Sequence, residues 1–221
     1  MENGKHRIQI AGDWSLEDLY VFPRAYEQCY FMYLGILADG TESDDERIAR
    51  AYEVFPWQGG YSAVDFYDQL KFAVPRNKRP RINCIEYASP GFIELSLAVM
   101  VALTIERVVR SLCNSALNIN DTYTHIYKDL QERKLLKIKT ENEIRELTRS
   151  ERDILESHAN TLSSALGIDI QVLNNKTNSL YKSLKILLSL YRRMRRLVEF
   201  EHKGKIELGS VRKARQKERR T

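Results

Sequence analysis

Apolar positions in the last quarter of the chain recur at steps of three and four. Ile170, Leu173, Thr177, Leu180, Leu184, Leu187, Tyr191, Met194 and Val198 keep this spacing for four heptads, which predicts one long amphipathic helix to about Phe200. Leu188, Leu190 and Leu197 widen the apolar face beyond the narrow seam of a dimeric coiled coil. The expected arrangement is therefore an antiparallel helical hairpin, 140–166 against 169–200. Its surplus apolar surface would be covered by the rest of the chain or by a second copy. Leu173, Leu180, Leu184, Leu187, Tyr191 and Met194 are the residues expected to carry that packing or association. Thr140-Glu141-Asn142-Glu143 reads as the capping box that opens the first arm, and Gly167 as its end.

The first half alternates between two periods. Ile8 and Ile10 are separated by a polar residue and followed by Gly12, which predicts a half-buried strand near 7–11. Ser15 and Asp18 have the spacing of a helix start. Pro23 lacks a backbone donor and is expected in the first turn of a second, longer helix, whose buried face would carry Phe22, Tyr26, Tyr30, Tyr33 and Leu37. Ser43-Asp44-Asp45-Glu46 opens a short helix to about Glu53, residues 56–60 break it, and Ser62 with Asp65 starts another bearing Val64, Phe66, Tyr67 and Leu70. The clearest β signal is Arg81 to Tyr87 followed by Phe92 to Leu95. Between them Pro90 suits one corner of a type II turn, and Gly91 the positive φ required at the next.

Strands near 7–11, 81–87 and 92–96 would make a small antiparallel sheet packed on helices. Val101, Ile105, Val108, Leu112 and Ala116 then mark a nearly buried helix, and Asp121 caps another carrying Tyr123, Ile126, Tyr127 and Leu130. The fold class read from these patterns is α+β, mostly helical. Its expected organisation is an α+β module over 1–118, a helical hairpin or bundle over 119–202 and a flexible basic tail over 203–221.

Composition narrows this further. A chain of 221 residues with 43% hydrophobic and 29% charged residues can bury a core, which excludes disordered and collagenous classes. Its three cysteines, Cys29, Cys84 and Cys113, form no CxxC pair, so neither a disulfide framework nor a zinc site is expected. Together with an N-terminus that lacks an apolar signal region, this points to the cytoplasm. The apolar run 92–105 contains Glu94 and falls short of the ~20 residues a membrane span needs. Charge is uneven. Residues 192–221 hold twelve basic and four acidic side chains, net +8, leaving −3 for the rest. Arg192, Arg193, Arg195, Arg196, Arg212, Lys213, Arg215, Lys217, Arg219 and Arg220 are thus candidates for contacting nucleic acid, DNA or RNA, or an acidic partner surface.

Phosphate-binding glycine loops, HExxH, GxSxG and paired-cysteine motifs are all absent, so no cofactor, metal or confident catalytic residue is expected. Arg152-Asp153-Ile154-Leu155-Glu156-Ser157-His158 resembles the arginine–histidine motif of the HEPN ribonucleases. That resemblance implies phosphate stabilisation by Arg152 and metal-independent acid–base cleavage of RNA by His158 at a dimer interface. On a regular helix, at ~100° per residue, the two side chains point to different sides. A second resemblance covers residues 7–115. Gly12-Asp13-Trp14, the start at Ser15, Pro23-Arg24-Ala25-Tyr26 and the hairpin Ile85 to Leu95 look like an uncharacterised bacterial α+β module found with conflict and antiphage genes. This implies an accessory or adaptor subunit. The expected function is therefore a non-enzymatic accessory protein, forming homo-oligomers or docking on a partner, without a membrane span. The HEPN-like ribonuclease is the alternative.

Overall fold

Alternation near the N-terminus forms strand β1 (Asn3–Ile10), which buries His6, Ile8 and Ile10 and turns Lys5 and Arg7 outward. It pairs antiparallel with β3 (Gly91–Ala98), which pairs in turn with β2 (Arg81–Glu86). The computed structural model describes residues 3–37, 43–53, 62–88, 90–115, 119–138 and 141–208. Four helices belong to the first half: α1 (Leu16–Leu37), α2 (Ser43–Glu53), α3 (Ser62–Ala73) and α4 (Val99–Asn114). The second half contributes α5 (Ile119–Glu132), α6 (Glu141–Arg145), α7 (Arg149–Ala165), α8 (Ile170–Thr177) and α9 (Leu180–His202). The α+β, mostly helical class stands. The apolar run 92–105 is β3 running directly into α4, and no described helix is long and apolar enough to cross a membrane.

The sheet has a fourth member that the sequence reading assigned to the tail. Gly204 turns the chain at φ 64°, and β4 (Ile206–Glu207) pairs with β1, giving the order β2-β3-β1-β4. Ile206 and Leu208 are buried. Lys205 Nζ lies 2.6 Å from Asp18 Oδ2 at the start of α1, and this contact holds the Asp18 carboxyl down at about 2. Two apolar anchors and an ion pair therefore fasten 203–208 to the body, correcting the expectation of a flexible tail from residue 203. A single hydrophobic cluster runs from Ile8 to Leu208, so residues on both sides of position 118 share one core.

Four further expectations change. Pro23 does not start a new helix; it lies inside α1, which begins at the Ser15–Asp18 cap and runs unbroken for 22 residues. The Leu19 carbonyl loses its helical partner where Leu19 is 44% exposed, so water can replace the missing donor. Gly91 does not have positive φ, so the type II turn is not formed there. Glycine is required at 91 because a β-carbon would collide with the Glu86 carbonyl.

The arm beginning at residue 140 is interrupted after α6. The Thr140 cap lies outside the described residues; α7 opens on its own capping box of Thr148 and Glu151, with Glu151 Oε2 accepting from Thr148 N at 2.8 Å. The single helix expected from Ile170 is two. Asn178 takes a left-handed conformation at φ 52°, and Ser179 caps α9 through the backbone N–H of Lys182. The surplus apolar surface of α9 is taken up within the chain by α1, α4, α5, α7 and α8.

One buried polar pair lies beneath the sheet. His6 Nε2 and Glu106 Oε1 stand 3.4 Å apart, and neither atom has a hydrogen-bond partner. Burial lowers the His6 pKa and raises that of Glu106. The unfolded chain therefore protonates His6 first as pH drops below about 6.5, and the His6 contribution to stability falls in that window. Glu106 acts in the opposite direction, its contribution falling as pH rises through its raised value. Urea melts at pH 7.5 and 5.5 should show wild type losing stability relative to His6→Gln on acidification. An equal change in both proteins would show that His6 does not titrate differently on folding.

Candidate functional site

Packing of α1 against α9 brings residues 24 and 192 together. On α9, Arg192 and Arg196 are one turn apart and Arg193 precedes Arg196 by three residues, so these three share a side. On α1, Tyr20, Arg24 and Gln28 recur every four residues and face the same space. Between them lies a groove of 310 Å³ whose lining includes no carboxylate.

Arg193 forms the floor of this groove. It is buried, and neutral acceptors meet its donors locally. Nε donates to Gln28 Oε1 at 2.8 Å, Nη1 donates to the Ser189 carbonyl and Oγ at 2.9 Å, and the guanidinium lies 4.1 Å over the Tyr67 ring. These contacts make it a structural cation whose partners are already chosen. The rim is different. Arg192 and Arg196 are exposed. Arg196 Nη1 shares Glu199 Oε2 at 2.9 Å, while Arg24 Nη1 donates to Tyr20 Oη at 2.7 Å. Three rim guanidinium groups thus face solvent over a floor that is itself cationic.

Arg195 points elsewhere, lying 5.3 Å over the Tyr123 ring of α5 and 3.8 Å from Glu199. Helical spacing divides the four expected arginines into three at the groove and one against α5. Arg212, Lys213, Arg215, Lys217, Arg219 and Arg220 lie outside the described residues. The chain reaches them from Leu208, whose carbonyl accepts from Arg110 Nη2 at 3.4 Å and whose N–H donates to Glu201 Oε2 at 3.1 Å.

Leu173, Leu184, Leu187, Tyr191 and Met194 are buried in the core, and Leu180 is partly buried. They serve internal packing. The ribonuclease-like pair is not brought together. Arg152 is exposed and its Nη2 donates to the Arg145 carbonyl at 2.7 Å, whereas His158 Nε2 meets Asp129 Oδ2 of α5 at 2.7 Å. Asp129 is also bound by Arg133 Nε at 2.8 Å, and its pKa is held below the usual range by hydrogen bonds from His158 and Arg133. Among the described residues no group of three or more His, Cys, Asp or Glu side chains could hold a metal ion.

Sequence reasoning missed Arg24, Tyr20 and Gln28. Arg24 is an ordinary charge on a helix whose aromatic face drew attention, and it becomes part of a site only across the α1–α9 contact. No protein-family model, curated protein or solved structure matches the chain, so the groove is read from its own geometry and charge.

Proposed function

We propose that this protein is a non-enzymatic accessory subunit, working in the cytoplasm, that holds nucleic acid against the arginine groove between α1 and α9. The observation that carries this reading is the convergence of Arg24, Arg192 and Arg196 on one groove with no lining carboxylate. Guanidinium groups pair with phosphate oxygens through planar, charge-assisted hydrogen bonds. The exposed Tyr20 ring beside Arg24 offers a stacking surface for an unpaired base. Residues 209–221, with six basic side chains against one acidic, would add phosphate contacts without sequence preference. Resemblance of residues 7–115 to a bacterial conflict-associated module supports an antiphage assembly as the setting. The ribonuclease alternative draws no support from the separate placement of Arg152 and His158.

The test is a salt series of binding isotherms with a labelled 20-base-pair DNA, its RNA counterpart and a single strand. Binding should weaken steeply with salt. For duplex DNA, the combined Arg24→Gln, Arg192→Gln and Arg196→Gln variant should lower the log–log salt slope by about 0.9 for each phosphate contact removed. Deleting 209–221 should lower the slope further without unfolding the body, whose thermal transition should stay cooperative. The deletion must begin after Leu208, because Ile206 and Leu208 belong to the core. Absence of binding at low salt, or binding indifferent to both changes, would overturn the nucleic-acid reading and leave an acidic protein surface as the ligand.

A further inference from the structure

Strand β2 is an open sheet edge. All six of its residues are exposed, and among the described residues no strand pairs with its outer side. Such edges are templates for further pairing, and proteins commonly blunt them with lysine, proline or a covering element. Residues 81–86 contain neither lysine nor proline. Beside this edge, between β2 and α1, lies an apolar groove of 460 Å³ lined in part by Leu19, Tyr20, Pro23, Ile82 and Ile85. Ile82 is 54% and Ile85 49% exposed, a poor use of two isoleucines in an isolated chain.

The strand reads Arg81-Ile82-Asn83-Cys84-Ile85-Glu86, a sequence complementary to itself in reverse. We propose that β2 pairs antiparallel with β2 of a second copy about a two-fold axis between Asn83 and Cys84. Arg81 then opposes Glu86 of the second copy, and Ile82 opposes Ile85 of the second copy.

Backbone geometry permits this register because of an irregularity in β2. In a regular strand, residues three apart lie on opposite faces and direct their N–H and C=O groups to opposite edges. A symmetric pairing of Ile82 with Ile85 would then fail. In β2 the register shifts between Ile82 and Cys84: Ile82 stands opposite Leu95, Cys84 opposite Glu94 and Ile85 opposite Ile93. The bulge places Ile82 and Ile85 together on the inner face, and Arg81 and Glu86, opposite Ser96 and Phe92, together on the outer face. Each proposed cross-strand pair therefore unites residues of one face, as antiparallel pairing demands. A bulge usually protects an edge from pairing; this one makes the edge self-complementary.

Charge complementarity selects a second copy as the occupant. Arg81 bonds the Arg76 carbonyl at 3.3 Å, and neither Arg81 nor Glu86 takes part in an ion pair among the described residues. Pairing would satisfy both charges twice over and join four isoleucines into one strip between the two apolar grooves. Tyr20 and Arg24 line both grooves, but no residue of β2 borders the arginine groove, so substitutions in β2 and at Arg192 and Arg196 test the two assignments separately.

Sedimentation of the full chain from about 1 to 100 μM should show a reversible monomer–dimer equilibrium. Arg81→Glu and Glu86→Arg each place like charges opposite one another at both ends and should weaken the dimer about tenfold. A one-to-one mixture of the two variants restores both pairs and should recover wild-type affinity as a heterodimer. Amide exchange in β2 should slow as concentration rises through the transition. A monomer at 100 μM would overturn the proposal. So would a dimer unaffected by either substitution, or a mixture no tighter than its parts.

Discussion

Leu187→Asp is expected to abolish the cooperative fold. Leu187 is fully buried on α9, the helix that packs against α1, α4, α5, α7 and α8. Removing the leucine side chain from such a site costs about 2–5 kcal/mol before the new carboxylate is considered. Burying that carboxylate without a partner adds several kcal/mol more, or forces it to remain protonated. The sum is comparable to the ~5–15 kcal/mol that separates folded from unfolded states in ordinary domains. Leu180→Asp provides the contrast, because Leu180 is only partly buried at the start of α9 and its carboxylate can reach water. Thermal melts by circular dichroism should show a cooperative transition for Leu180→Asp and none for Leu187→Asp. A near-wild-type melt for Leu187→Asp would contradict the packing of α9 against the body.

Gly91→Val should destabilise the protein by about 3 kcal/mol or more. Gly91 opens β3 opposite Ile10, and a β-carbon there would overlap the Glu86 carbonyl while lying 2.7 Å from Ala88 N. The obstructing atoms are backbone, so no rotamer change relieves the contact, and the β2–β3 hairpin must open. Gly91→Ala should already show most of the loss. Gly12→Ala tests the other origin of glycine requirements. Gly12 has φ 68° with open space around it, so only backbone strain of about 1 kcal/mol is at stake. Pro90→Ala should matter less than either, since it chiefly loosens the unfolded chain. Chemical denaturation of the four variants checks the order. A Gly91→Ala variant as stable as wild type would show that the hairpin is not closed this tightly.

Surface arginines and buried arginines should also behave differently under substitution. Arg192 and Arg196 are exposed and screened by salt, so their removal should leave stability nearly unchanged. The contacts of Arg193 with Gln28 and Tyr67 tie α9 to α1 and α3. This is why the binding test removes the rim cations and leaves Arg193 in place.

What the sequence determined by itself was local. Hydrophobic period and capping chemistry act within a few residues, so the three principal strands, the Ser15 start, the Gly167 stop and most helices could be read directly. Two readable local signals lost to a stronger pattern. The heptad spacing from Ile170 to Val198 obscured the left-handed Asn178 and the Ser179 cap, and Thr140 obscured the Thr148–Glu151 box.

Other features depended on partners far along the chain. Ile206 became a strand residue only through pairing with Ile10, and Gly91 owes its role to the Glu86 carbonyl across a hairpin. The apolar excess of α9 left the body and a second copy open as its cover and suggested association, whereas in the structure five helices of the same chain pack against it. Arg192, Arg193 and Arg196 were legible as charge, whereas Arg24 joined them only when α1 came to lie against α9. Periodicity records which face of an element is buried and carries no record of what that face meets; the meeting is set by loop closure and core packing over the whole chain.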